Sequence, residues 1–124
     1  MEYKEVYKQL QSRNEGAFIP FTVLGYPDYE ISKKVITTTI DNGADILELG
    51  MPFSDPIADG PTIQEADTVA LRNGIDIYDW FDLLEEIREV SEIPIGLLMY
   101  SNLILNYGLD EFYRKLNELN INSV

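Results

Sequence analysis

Glu48, Asp55 and Asp59 are the residues of this sequence best suited to moving protons. Glu48 lies in a short apolar segment, ADILELG, and the two aspartates follow it in the proline-rich segment MPFSDPIADGP, with Asp59 11 positions after Glu48. The sequence contains no histidine and no cysteine, so a general acid or base must be a carboxylate, a tyrosine or a lysine. These three carboxylates are therefore the candidates for acid–base chemistry.

Each candidate also has a simpler structural interpretation. Glu48 can sit hydrated at a strand end or pair with a basic side chain, and Asp59, just before Gly60-Pro61, can cap the coming helix. Asp55 lies between a serine and a proline, a common setting for a turn. Tyr100 and Phe21 can contact a ligand or simply pack in a core. On their own, the capping and turn interpretations are favoured for the two aspartates.

Composition excludes several classes of function. The formal net charge is -13, from 22 acidic and 9 basic residues, and nucleic-acid affinity depends on lysine and arginine neutralising phosphates. Asp55 and Asp59 offer oxygen ligands to a divalent metal ion, but no further ligands converge on them, so we expect no metal site. No apolar stretch approaches the roughly 20 residues that span a bilayer. We expect neither nucleic acid nor a membrane as a partner.

Three apolar segments predict the strands that position these groups, at residues 17–24, 45–50 and 95–100. Pro20 argues for an edge strand or none in the first of them, because it has no N–H for a sheet ladder. Because side chains alternate along a strand, Glu48 shares a face with Ile46, and Leu47 and Leu49 take the other. A parallel sheet is covered on both faces, so we expect the Glu48 charge to be buried, at a cost of several kcal/mol.

Helical patterns separate the predicted strands. A leading helix ends near Gly16, a second ends at Asn42-Gly43, a third begins at Pro61 and a fourth near Asp76. A last helix follows a loop near Asn102, and Asn120 begins the turn into a fourth strand. The residues predicted to form the buried stripes are Tyr3, Val6, Tyr7, Leu10, Ile31, Val35, Ile36, Ile40, Trp80, Leu84, Ile87, Val90, Leu109, Phe112, Leu116 and Leu119. Strands alternating with helices indicate the α/β class with a parallel sheet, and residues 1–124 are expected to form part of one domain.

Three segments carry a resemblance to a known family. They are LELGMPFSDPIADGPTIQ at 47–64, PIGLLMYSNLILNYG at 94–108 and GAFIPFTVLGYP at 16–27. Together they resemble the N-terminal half of the tryptophan synthase alpha chain family. The resemblance implies a (β/α)8 TIM barrel, represented here by an N-terminal helix and the first three βα units.

The family resemblance also implies an activity. It is the retro-aldol cleavage of indole-3-glycerol phosphate into indole and glyceraldehyde 3-phosphate, with Glu48 as general acid and base and Asp59 holding the indole N–H. The loop from Pro52 to Asp59, including Asp55, falls where the family meets its beta chain. Residues at positions that line or border the family's indole pocket are Phe21, Ile63, Leu98 and Tyr100.

The resemblance implies a cytoplasmic alpha2beta2 tetramer in which the alpha chain uses no cofactor and the beta chain carries pyridoxal phosphate. Such barrels need about 250 residues, and the late phosphate-binding loops have no counterpart among these 124 residues. We therefore expect the chain alone to be inactive, with Ile46, Leu98 and Phe21 uncovered on the inner face and the chain self-associating. The alternative is a non-catalytic half-barrel that only assembles with itself or with a beta chain.

Overall fold

The computed structural model describes all 124 residues, which form three strands and six helices. None of the helices is both long and apolar enough to cross a lipid bilayer. In chain order the elements are α1 (Tyr3–Ser12), β1 (Phe21–Val23), α2 (Tyr29–Asp41), β2 (Leu47–Gly50), α3 (Pro61–Arg72), α4 (Ile77–Val90), β3 (Ile95–Leu98), α5 (Ser101–Tyr107) and α6 (Leu109–Glu118).

The strands form one parallel sheet in the order β1-β2-β3. Phe21 pairs with Glu48, and Glu48 pairs with Gly96. In a parallel sheet, residues paired in this way point to the same face. The predicted parallel α/β arrangement is confirmed, with helices connecting consecutive strands as parallel neighbours require.

The strands are shorter than predicted, and β1 shows why. It begins only after Pro20, whose carbonyl oxygen still accepts a hydrogen bond of 3.1 Å from the Glu48 N–H. It ends before Gly25, which has a φ of +78° and where a side chain would come within 3.2 Å of Ile75. Pro20 therefore trims the edge strand without abolishing it.

One face of the sheet is packed against helices in a core of 17 buried residues. Leu47, Leu49 and Ile95 point to this face and are at most 1% exposed. Phe81 and Phe112, from α4 and α6, belong to this core, and their rings pack against each other in a tilted arrangement at a centroid distance of 5.9 Å. An ion pair of 2.7 Å between Lys33 and Glu86 joins α2 to α4 at the surface of this layer.

Some predicted stripe residues lie outside the core. On α2, Ile36 is buried as predicted, but Ile31 and Val35 are 46% and 44% exposed, and Ser32 is buried instead. The prediction was wrong here because α2 contacts α4 and the sheet with only a narrow face, and no element covers its other side. Val90, in the last turn of α4, is also exposed, at 64%.

The segment after β3 also differs from the prediction. Asn102 does not lie in a loop, because α5 starts directly after Tyr100, and α5 is separated from α6 by Gly108 with a φ of +111°. Leu109 is 53% exposed, whereas the rest of the predicted stripe on α6 is buried. Ser123 then forms a parallel bridge to Gly96, which confirms the predicted start of a fourth strand.

The second face of the sheet is covered only at its two ends. At one end α1 places Val6 and Leu10 over Ile46, which is 3% exposed, so the expectation that Ile46 would be uncovered was wrong. At the other end α3 packs Ala66 and Ala70 against Val23 of β1. The middle of this face stays open.

The contact between the N-terminal helix and the start of the fourth strand passes over Gly96. The Tyr3 hydroxyl and the Ser123 hydroxyl are hydrogen-bonded at 2.6 Å. A Cβ atom at Gly96 would lie 2.8 Å from both oxygen atoms. The absence of a side chain at this position is therefore what lets the two segments meet.

Candidate active site

A cavity of about 330 Å³ lies between the open face of the sheet and α3. Most of its wall is apolar, and its polar side chains are Asp59, Asp67 and the hydroxyl of Tyr100. Such a wall, with a few fixed polar groups, is typical of small-molecule sites. The lining residues are Phe21, Val23, Gly50, Met51, Ala58, Asp59, Ile63, Asp67, Leu98, Met99 and Tyr100.

The cavity brings together five of the residues that the sequence singled out. Four come from the resemblance to the indole pocket, and the fifth is the candidate carboxylate Asp59. These five residues are Phe21, Asp59, Ile63, Leu98 and Tyr100.

Asp59 is held by Tyr100. The Tyr100 hydroxyl donates a hydrogen bond of 3.1 Å to Oδ2 of Asp59 and accepts one of 2.9 Å from the Ala58 N–H. The helix cap expected of Asp59 is not formed, because Gly60 is the N-cap residue of α3 and makes no side-chain bond. Pro61 lacks an N–H and reduces the need for a cap, which leaves the Asp59 carboxylate free to face the cavity.

The loop before α3 is irregular but well anchored. Phe53 stacks on the ring of Tyr100 at a centroid distance of 5.0 Å. The Gln64 amide donates to the Asp59 carbonyl oxygen at 2.7 Å and to the Pro56 carbonyl oxygen at 3.3 Å. Asp59 is therefore positioned by Gln64 of α3 and by Tyr100, which follows β3.

Tyr100 stays protonated at neutral pH. Burial raises the pKa of its hydroxyl above the ordinary value for tyrosine, and the hydrogen bond to Asp59 and the Asp59 charge add to the rise. The N–H of Ala58 acts in the opposite direction, since it stabilises a phenolate. The hydroxyl is therefore a donor to Asp59 and not a base.

Glu48 is exposed, so the prediction of a buried charge was wrong. Because it alternates with Leu47 and Leu49, it points away from the helix-covered face. No helix covers the middle of the opposite face, where Glu48 lies. It lines a neighbouring recess of about 370 Å³ on the same face of the sheet. Leu98 lines both the recess and the cavity of Asp59 and separates the two carboxylates.

Asp67 is a lining residue that the sequence analysis missed. It is 4% exposed, and burial raises the pKa of its carboxyl from 3.8 to about 6. The hydrogen bond from the Phe53 N–H lowers this pKa, and the charge of Asp59 raises it. It follows Ala66 on the face of α3 that carries Ile63 and Ala70. A charged residue on the apolar stripe of a helix is the signal that would have identified it.

The absence of a side chain at Gly50 leaves room for the ring of Phe21 beside the cavity. A Cβ atom at this position would lie 2.8 Å from Cζ of Phe21, across the pairing of β1 with β2. Phe21 is half-buried and forms one wall of the cavity. The ring therefore occupies the space that a larger residue at position 50 would need.

Comparison with known proteins adds to this geometry. The sequence model of the family described as "Tryptophan synthase alpha chain" matches residues 7–124. The chain belongs to the tryptophan synthase alpha chain family. The alpha chain of Photorhabdus laumondii is 51% identical over 123 residues, which cover 98% of this chain and 46% of that protein.

Solved structures agree with this assignment. A chain from Aquifex aeolicus is 44% identical with a TM-score of 0.91, covering 97% of this chain and 48% of its own length. The tryptophan synthase alpha subunit of Legionella pneumophila is 33% identical with a TM-score of 0.90, at 95% and 45% coverage. The chain spans about half the length of the tryptophan synthase alpha chains it matches, and its fold is half of their TIM barrel.

The loop that the resemblance predicts to contact a beta chain, Pro52 to Asp59, is only partly at the surface. The Pro52 side chain is fully buried, whereas Asp55 is exposed and Ile57 is 88% exposed. Any contact that the loop makes with another chain must therefore use its tip, around Asp55 and Ile57. No cluster of three or more metal-ligating side chains occurs in this loop or elsewhere in the chain.

Proposed function

We propose that this chain provides the indole-binding and proton-transfer part of a tryptophan synthase alpha active site. The reaction is the cleavage of indole-3-glycerol phosphate into indole and glyceraldehyde 3-phosphate. The observation that carries the proposal is the apolar cavity whose fixed carboxylate, Asp59, is held by Tyr100. The family to which the chain belongs supplies the reaction class.

Asp59 binds the ring nitrogen of the substrate. Phe21, Ile63 and Leu98 offer apolar surface to the two faces and the edge of an indole ring, while the carboxylate accepts its N–H. A hydrogen bond to a charged acceptor is worth roughly 1.5 to 3 kcal/mol when it is desolvated. The interaction strengthens when the ring nitrogen gains positive charge during the reaction.

Glu48 moves the protons. In its acid form it gives a proton to the ring carbon that carries the glycerol chain, which leaves an iminium cation on the indole. The bond between that carbon and the chain then breaks, its electron pair restores the aromatic ring, and the neighbouring hydroxyl becomes an aldehyde. Glu48, now a carboxylate, accepts the hydroxyl proton and is regenerated, a role that needs an accessible carboxyl group.

The remaining parts of the enzyme are assigned outside this chain. The rest of an alpha chain binds the substrate phosphate, and a beta chain that carries pyridoxal phosphate receives the indole. The exposed loop tip at Asp55 and Ile57 is the proposed beta-chain contact. The alpha chain itself needs no cofactor, because the reaction is a redistribution of protons and one electron pair. The assembled enzyme is an alpha2beta2 tetramer in the cytoplasm.

A second candidate is a half-barrel that assembles without catalysing a reaction. It is favoured by the separation of the two carboxylates into neighbouring recesses. In that case the open face would serve only for association. The two candidates differ in whether the carboxylates are needed once the barrel is complete.

The test is a chain completed with the C-terminal half of the Photorhabdus alpha chain. Glu48→Gln and Asp59→Asn are each compared with the exposed control Glu85→Gln, which also removes one negative charge. We expect indole release to fall about 10²- to 10⁴-fold in Glu48→Gln, as for loss of a general acid and base, and to persist in the control. Unchanged turnover in both site variants would overturn the roles assigned to the two carboxylates, and absence of turnover in the unsubstituted completed chain would favour the non-catalytic half-barrel.

A further inference from the structure

We propose that Asp67 is a positioning residue that acts through Asp59, adding a second negative charge beside the nitrogen of a bound heteroaromatic ring. The proposal rests on the proposed function of the cavity and goes beyond it, since Asp67 was assigned no role there. It predicts that the cavity prefers N–H-bearing ligands most strongly when Asp67 is ionised.

The placement of Asp67 points to a ligand. Its side chain lines the same cavity as Asp59, from α3, and only 4% of the residue is exposed. A buried carboxylate is normally paired with a basic side chain or satisfied by several donors. Asp67 has no side-chain partner, and only the Phe53 N–H stabilises its charged form.

The charges that face Asp67 are few and can be named. The loop contributes Asp59, the end of β3 contributes the neutral Tyr100 hydroxyl, and no lysine or arginine lines the cavity. Burial, followed by the charge of Asp59, raises the pKa of Asp67 to about 6. The Asp67 carboxyl is therefore mostly neutral at pH 5 and mostly charged at pH 7.5.

The second charge acts on the ring nitrogen by electrostatics. It makes Asp59 a stronger hydrogen-bond acceptor and attracts the positive end of the N–H dipole directly. The effect is larger on the iminium cation that forms when the ring carbon is protonated, because a full positive charge then lies beside two carboxylates. Asp67 thus needs no contact with the ring to favour the reaction.

Binding of indole as a function of pH, measured on the chain completed with the C-terminal half of the Photorhabdus alpha chain, tests this role. 1-Methylindole, which has no N–H, is the ligand control, and Glu65→Gln, an exposed charge removal on the same helix, is the protein control. We expect indole affinity to rise about fivefold between pH 5 and pH 7.5, the size expected for one added charge in a partly screened site. We expect no rise for 1-methylindole.

Asp67→Asn should remove the rise and leave the affinity for indole at pH 5 unchanged, because asparagine imitates the protonated aspartic acid. Glu65→Gln should behave as the unsubstituted chain does. A rise that persists in Asp67→Asn, or a loss of binding at pH 5, would overturn the role of Asp67 while leaving the proposed function intact. Absence of indole binding at every pH in the unsubstituted completed chain would instead overturn the proposed function, and this inference with it.

Discussion

The two faces of the sheet are covered to very different extents. On the helix-covered face, Leu47 and Leu49 are at most 1% exposed in a single continuous core. On the open face, Leu98 is 52% exposed, and Glu48 is exposed between the two ends that α1 and α3 cover. The comparison teaches that one face supplies the stability of the chain, while the groups capable of chemistry lie on the face that the chain leaves unfinished.

The largest expected effect of the unfinished face is on association. We predict that the 124-residue chain made on its own self-associates and releases no indole from indole-3-glycerol phosphate. The outer edge of β1 has no partner, and beyond β3 only the bridge at Ser123 pairs, so unsatisfied N–H and C=O groups can join other chains. Size-exclusion chromatography with light scattering and an indole-release assay check both parts. A monomer that turns over the substrate would show that the open face needs no further chain to cover it or to complete the site.

Leu97 and Leu98 are neighbours on β3 that point to opposite faces, so they compare the faces directly. Leu97 is 4% exposed and Leu98 is 52% exposed. We predict that Leu97→Ala lowers the free energy of unfolding by about 2 to 4 kcal/mol, as in other buried leucine truncations. Leu98→Ala should lower it by less than about 1 kcal/mol. Urea unfolding measures both, and equal losses would contradict the comparison.

The sequence predicted the elements because their signals are local. Pro61 marks the start of α3 and Asp76 caps α4, and both effects act within one helical turn. The exposure of Ile31 and the burial of Ile46 could not be predicted in this way. Each depends on whether another element, distant in sequence, covers the residue, and the local pattern is the same in either case.

The candidate site also combines features that the sequence predicts with features that depend on tertiary contacts. Asp59 and Tyr100 were identified by the family resemblance, but their hydrogen bond spans 41 positions and only the structure establishes it. Asp67 was missed because the sequence alone does not show that its side chain is buried. Its burial depends on the contact of α3 with β1, which is a tertiary feature.

The charge on Asp67 should cost stability, which sharpens the contrast between the faces. Its pKa is raised from 3.8 to about 6 in the folded chain, so the folded state binds more protons than the unfolded state between these values. Stability therefore falls as the pH rises through this window. We predict that Asp67→Asn raises the free energy of unfolding by about 1 to 2 kcal/mol at pH 7. The gain should vanish near pH 4.

Urea unfolding at pH 4 and pH 7 measures this difference, with Glu65→Gln as the matched control. The same gain at both pH values would show that the asparagine improves packing and that the charge is not the cause. If Asp67→Asn instead lowers the stability at pH 7, the ionised carboxylate must accept hydrogen bonds beyond the one from the Phe53 N–H.

The smallest effect is expected for the hydroxyl of Tyr100. We predict that Tyr100→Phe speeds hydrogen exchange at the Ala58 amide by up to about tenfold, because the amide loses its acceptor. The overall fold should be unchanged, since the ring can still stack on Phe53. Exchange measured by NMR checks this, with Tyr113→Phe, a 49% exposed residue, as control. Unchanged exchange would show that the loop is held by Gln64 alone.

The contact over Gly96 fixes an order of events during synthesis. Tyr3 and Ser123 are 120 residues apart in sequence, and Asn122 donates a further hydrogen bond of 3.0 Å to the carbonyl oxygen of Met1. Contacts of such high sequence separation form late and slow the search for the native state. The N-terminal helix is therefore translated first, but its bonds to this segment form only when residues 122 and 123 have left the ribosome.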